Sequence, residues 1–118
     1  MIWLDLHARE PAIGAGWLAY RERLPDGFTW NQWQAACEPW QMVCIRADDE
    51  PIGAVFLKDG VVHVGIVPAW RGRWASRRII REILSHGTET TLLKNETEQR
   101  LFVHRAFKVA GVKNVVSR

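Results

Sequence analysis

The chain reads as a single α/β domain over residues 1–118, with a mixed, mostly antiparallel central sheet. About four helices are expected to flank it. Three observations carry this expectation. Short runs alternate apolar and polar residues in the middle of the chain, and longer segments on either side repeat their apolar residues at helical spacing. The third observation is a strand that passes through a loop rich in arginine and glycine into a helix.

Residues 2–6 alternate Ile2, Leu4 and Leu6 against Trp3 and Asp5, the period of a half-buried strand. Over residues 10–24 the side chains Ile13, Trp17, Tyr20 and Leu24 share a helical stripe behind Pro11, and Pro25-Asp26-Gly27 ends the helix. Thr29 suits the N-cap of a second short helix, which aligns Trp30, Trp33 and Cys37 before Pro39 stops it. Residues 40–47, 52–58 and 61–67 form three consecutive antiparallel strands, joined by Asp48-Asp49-Glu50-Pro51 and by the tight turn Asp59-Gly60. Pro68 closes this meander. A helix over residues 73–85 carries Ile79, Ile80, Ile83 and Leu84 on one stripe, with Gly87 as its cap. Residues 88–93 are β-prone, residues 96–110 return to helix up to Gly111, and residues 112–117 make a closing strand. The order is β-α-α-β-β-β-α-β-α-β, without an internal repeat or linker.

A chain of 118 residues that is 47% hydrophobic has the size and composition of one ordinary domain. No apolar run approaches the roughly 18 residues of a membrane span, and the first residues lack the pattern of a secretory leader. The expected place is the cytoplasm. Cys37 and Cys44 lie in apolar stretches without a C-x-x-C pair, so they are expected as buried free thiols, with no metal site. The seven tryptophans are expected mostly in the core. The formal charge of +3 is unevenly spread, with 5 Lys/Arg against 9 Asp/Glu in residues 1–59 and 11 against 4 in residues 60–118. An anionic partner is therefore expected on the second half.

The most informative run is Val64-Gly65-Ile66-Val67-Pro68-Ala69-Trp70-Arg71-Gly72-Arg73-Trp74-Ala75-Ser76-Arg77. Amides at a helix start are unpaired and sit at the positive end of its dipole, so such a loop suits a pyrophosphate. Arg71, Arg73 and Arg77 add long-range attraction for a polyanion. The run resembles the GNAT superfamily of acyl-CoA-dependent N-acyltransferases, whose cofactor motif places a valine and a proline at the end of the fourth strand and R-G-x-G-x-G/A at the start of the third helix. Val67, Pro68, Arg71 and Gly72 match it, Ile79 and Ile80 fall where paired aliphatics are usual, and the element order is also the family's. The resemblance implies acetyl-CoA or another acyl-CoA held by Ile66, Val67, Arg71, Gly72, Arg73, Trp74, Ala75, Ser76 and Arg77. It implies transfer of the acyl group to an amine on a small molecule or a protein.

The departures from the motif bear on that implication. Trp74 stands where the first loop glycine is usual, and Ser76 where Gly or Ala is usual. The indole either obstructs the close backbone approach that glycine permits or stacks over the adenine or pantetheine. Many members carry a tyrosine on the last helix that protonates the departing thiolate; Phe107 stands there, and Tyr20, the only tyrosine, lies on the first helix. The family's last strand is expected to be missing, with the sheet either truncated or completed by a partner chain, of the same or another kind.

Acyl transfer needs a base for the incoming amine and a donor that polarises the thioester carbonyl. His63 is the candidate catalytic residue, because the family often sets its base on this strand and an unperturbed imidazole titrates near ~6.5. It also reads simply as the polar residue of an alternating strand. The N–H of Ile66 or Val67 is the carbonyl polariser by resemblance. His7, His86 and His104 read as surface residues, and Asp48-Asp49-Glu50 as either a site for a cationic amine or a solvated turn.

Two function classes compete. One is an acetyl-CoA-dependent N-acyltransferase. The other is a non-catalytic GNAT-fold binding or structural subunit, because the trimmed form with Arg71-Gly72-Arg73-Trp74 is similar to GNAT-like proteins of bacteriophage genomes, some of them virion components. That second class implies the host cytoplasm or the virion. A nucleic-acid surface made of Arg71, Arg73, Arg77, Arg78 and Arg81 with Trp70 and Trp74 as stacking rings ranks third, since the acidic first half opposes a broad footprint.

Overall fold

The computed structural model describes residues 1–58, 61–85, 89–92 and 114–117. Strand β1 (Ile2–Asp5) leads to helices α1 (Arg9–Tyr20) and α2 (Trp30–Cys37). Strands β2 (Gln41–Ala47), β3 (Glu50–Lys58) and β4 (Val61–Ile66) follow, then α3 (Arg77–Leu84), β5 (Glu89–Leu92) and β6 (Asn114–Ser117). The six strands lie side by side in chain order. From β1 to β4 each strand is antiparallel to the next, whereas β5 joins β4 in parallel and β6 joins β5 in parallel. The mixed sheet and its antiparallel meander are as the sequence predicts. The expected turn at Asp59-Gly60, the cap Gly87 and the helix over residues 96–110 lie outside the described residues.

Local chemistry explains where the elements begin and end. Thr29 caps α2 through a reciprocal pair, its hydroxyl accepting the Gln32 N–H at 3.2 Å while Gln32 Oε1 accepts the Thr29 N–H at 2.7 Å. α1 stops at Tyr20 rather than running to residue 24. A single 3₁₀ turn over Arg21–Arg23 follows, and Leu24, which precedes Pro25, is extended with ψ 153°. β3 starts two residues earlier than expected, at Glu50, and a register shift between Ile45 and Arg46 of β2 accommodates Pro51.

α3 begins at Arg77 rather than residue 73. Ser76 is its N-cap, with Oγ accepting the Ile79 N–H at 3.2 Å. Before it, Pro68–Trp70 make one 3₁₀ turn and Gly72 has φ +79°, a conformation that favours glycine.

Alternation along the strands gives the sheet two unlike faces. On one, Val43, Ile45, Val62, Val64 and Ile66 pack against Ile79, Ile80 and Ile83 of α3. Each fully buried isoleucine contributes about 1.5–3 kcal/mol of transfer free energy. On the other, Cys44, Ala54 and Phe56 pack against Ala12, Trp33 and Cys37 of α1 and α2. Gly65 brings α1 close to this second face, because a Cβ there would stand 2.3 Å from Tyr20 Cε2.

Candidate functional site

The end of β4 is the centre of the site. Val67 donates its N–H to the Ile52 carbonyl at 2.9 Å. Alternation in an antiparallel ladder then turns the N–H and C=O of Ile66, which is opposite Gly53, away from β3 and towards the β5 side. The Ile66 carbonyl accepts from Arg71 Nε at 3.2 Å on that side. β5 is paired with β4 only from Val61↔Glu89 to His63↔Thr91. Among the described residues, β4 therefore runs three residues past the paired stretch, and the Ile66 N–H is directed to the β5 side beyond it. Of the two predicted carbonyl polarisers, the Val67 amide is committed to the sheet, while the Ile66 amide has the required direction.

The loop residues take different roles. Arg71 is a clamp between β4 and α1: Nη2 donates to the Ala19 carbonyl at 2.9 Å and Nη1 pairs with Glu22 at 2.6 Å. The hydrogen bond from Arg71 holds the Glu22 carboxyl below the usual carboxylate range. Arg73 lies over the Trp70 ring at 4.6 Å and donates to the Ala69 carbonyl at 3.2 Å. Arg77 is exposed at the first turn of α3. Trp74 is only 4% exposed and packs in the aliphatic cluster beneath α3, with Ala75 half-buried beside it. Its indole thus neither stacks outward nor fills the space in front of the loop. At Gly72 an added Cβ would meet nothing within 4 Å. The indole is turned inward and does not occupy the outer side of the loop.

His63 points to the opposite face from Val62 and Val64 and lines an open cavity of about 270 Å³ with Tyr20, Trp33, Ala36, Cys37, Trp40 and Phe56. Its ring meets the Trp40 ring edge-on at 5.1 Å. Lys58 Nζ lies 5.5 Å from the centre of the same Trp40 ring, and the Arg23 guanidinium lies 6.0 Å from the centre of the Tyr20 ring. Burial pushes the Cys37 thiol up to about 11, so at neutral pH it is a protonated wall group rather than a nucleophile.

No protein-family model matches the sequence, and no relative is found among curated proteins. Solved structures do match. Apo-form YjaB from Escherichia coli is 18% identical with a TM-score of 0.54, over 89% of this chain and 80% of that one. The chain has the GNAT fold. Aminoglycoside N-acetyltransferase AAC(6')-Iy in complex with CoA aligns over 100% of this chain and 76% of its own, at 14% identity and a TM-score of 0.44. Glucosamine-6-phosphate N-acetyltransferase from Arabidopsis thaliana aligns over 100% and 82% at 10% identity, with a TM-score of 0.39.

Within this GNAT fold, some contributors escaped the sequence reading. Arg9 donates to the carbonyls of Trp40 at 2.6 Å and Cys37 at 3.0 Å, satisfying the end of α2 and fixing the segment that carries Trp40. Tyr20 and Trp40, one on α1 and one before β2, reach the same cavity as His63. Period and spacing are local signals, and these contacts cross 23 to 43 residues of chain. Asp48, by contrast, is a turn residue with φ 51°, and its carbonyl accepts from Trp3 Nε1 at 2.6 Å. Among the described residues, no His/Cys/Asp/Glu group could hold a metal ion, and no helix is long and apolar enough to cross a membrane.

Proposed function

We propose that the chain is an acyl-CoA-dependent N-acyltransferase that moves an acyl group, acetyl being the simplest, directly to an amine. The observation that carries this reading is the Ile66 N–H, which points to the β5 side beyond the last pair described between β4 and β5. The acyl-CoA supplies an activated thioester. Ile66 N–H polarises the acyl carbonyl, as an amide fixed in a sheet does without reorganising. The loop amides from Trp74 to Ser76 and the first turn of α3 hold the pyrophosphate, with Arg73 and Arg77 adding positive charge, the Arg73 amide itself being bound to the Trp70 carbonyl at 3.1 Å. Arg71, through Ile66 and Ala19, positions β4 against α1 rather than serving as a free phosphate ligand.

His63 takes the proton from the amine. Three residues of strand, about 10 Å, separate it from the Ile66 amide, so the proton passes through water. The high thiol pKa of Cys37 supports direct transfer over an acyl-cysteine route. Calorimetric titration with acetyl-CoA, followed by a transfer assay, tests the proposal. Saturable binding is expected, and His63→Gln should keep that binding while lowering transfer about a hundredfold or more. Absence of binding would remove the enzyme reading. The commitment of Arg71 to Glu22 and Ala19 leaves a second reading, in which the chain is a non-catalytic binding or structural subunit.

A further inference from the structure

Glu22 lies between two arginines at the end of α1. Its carboxylate pairs with Arg71 Nη1 at 2.6 Å and lies 3.9 Å from Arg23 Nη2. Both guanidiniums also donate to one backbone oxygen, the Ala19 carbonyl, Arg71 through Nη2 at 2.9 Å and Arg23 through Nη1 at 3.2 Å. That carbonyl belongs to the last turn of α1, at the negative end of the helix dipole, which favours cations. Two positive groups converging on one oxygen still repel each other, and the carboxylate between them offsets the repulsion. A lone exposed ion pair would fix little. Here the side chains of Arg71 and Arg23 are only 20% and 17% exposed, so the carboxylate holds groups that the backbone has already ordered.

A further contact of Arg71 reaches the end of β4, where Nε donates to the Ile66 carbonyl at 3.2 Å. This oxygen lies on the same side of the strand as the Ile66 N–H. Left bare, its negative dipole end would repel an acyl oxygen that gathers charge beside that N–H. The guanidinium removes the repulsion and fixes the strand at Ile66. We propose that Glu22 is a positioning residue for acyl transfer, holding Arg71 on the Ile66 carbonyl and so keeping the Ile66 N–H aimed at the thioester oxygen. The assignment rests on the acyl-transfer reading of the end of β4. Glu22 acts through Arg71, from the turn that follows α1, 44 residues before Ile66 in the chain.

The test is nuclear magnetic resonance of the isotope-labelled full chain, following the Arg71 Nε–H and the backbone amides in the wild type, Glu22→Gln and Glu22→Ala, without and with acetyl-CoA. In Glu22→Ala the Arg71 Nε–H should exchange with water about tenfold faster or more, since a charge-assisted contact is lost. Glu22→Gln keeps an oxygen acceptor of the same reach without the charge, so its exchange should lie between the two, and it carries the comparison if Glu22→Ala does not fold. At saturating acetyl-CoA the Ile66 amide should move about half as far in Glu22→Ala as in the wild type, or less. The amides of Trp74, Ala75 and Ser76 should move as before, whereas a general loosening of the fold would change both sets alike. Unchanged Nε–H exchange in both variants would overturn the proposal, and so would faster exchange with an undiminished response at Ile66. Faster exchange in Glu22→Ala, in a protein whose wild type does not respond to acetyl-CoA, would overturn the acyl-transfer reading and the role in transfer with it, leaving Glu22 as the holder of Arg71.

Discussion

The two faces of this one sheet are built from different materials. Beneath α3, branched aliphatic side chains such as Val62, Val64, Ile79 and Ile83 close completely around Trp74, and all five are no more than 4% exposed. Beneath α1 and α2, flat rings from Tyr20, Trp33, Trp40 and Phe56 meet edge-on and leave the cavity of about 270 Å³. Branched aliphatics interdigitate to crystal-like density, whereas rings held in T-shaped contacts leave gaps. Strand alternation in β4 divides the work, sending Val62, Val64 and Ile66 to the closed face and His63 and Gly65 to the open one.

The sharpest way to break the contrast is Trp74→Ala. Removing an indole from the closed face should cost about 4 kcal/mol in urea unfolding. A loss below about 1 kcal/mol would mean that the indole is not a core group. Gly65→Ala should come next, because its Cβ would press on Tyr20 Cε2 at 2.3 Å. Overpacking of this kind costs about 2 kcal/mol, and it should also displace Tyr20 and weaken ligand binding in the cavity. Unchanged stability and binding in Gly65→Ala would contradict the close approach of α1 to β4.

A further effect concerns pH. Burial raises the Cys37 and Cys44 thiols to about 11, well above the ordinary value near 9.0. Below 9.0 both states hold the protons, so this contribution is fully present. Above it the unfolded thiols ionise while the native ones remain protonated, and stability is lost until the pH passes about 11. The urea midpoint should fall between about pH 8 and about pH 10.5, and fall less in a Cys37→Ala, Cys44→Ala double variant. Equal falls in the two proteins would show that the thiols are not the cause.

Much of the closed face was legible in sequence. The stripe of Ile79, Ile80 and Ile83 is a local period, and on the other face Thr29 stands where the cap of α2 requires its type. The start of α3 was misplaced because arginines are good helix formers, so residues 73–76 read as helix; the Ser76 cap with Ile79 behind it overrides that propensity. The side taken by Trp74 was not legible, since an indole after a flexible glycine can turn to either face, and packing under α3 decides it. Arg71 was read as a phosphate ligand because charge shows in sequence; its partners Ala19 and Glu22 lie on α1 and the turn after it, about fifty residues back, and do not. His63 was placed on its strand correctly, but its contact with Trp40 and the cavity depends on three elements meeting.

Amide chemical shifts of the isotope-labelled protein, followed while acetyl-CoA is added, test the central claim most directly. The signals of Ile66 and of residues 73–78 should move together and saturate, with Ile66 changing more than Val67, whose N–H is held by Ile52. No movement at Ile66, or changes confined to α1 and α2, would contradict the assignment of the end of β4 as the acyl-CoA site.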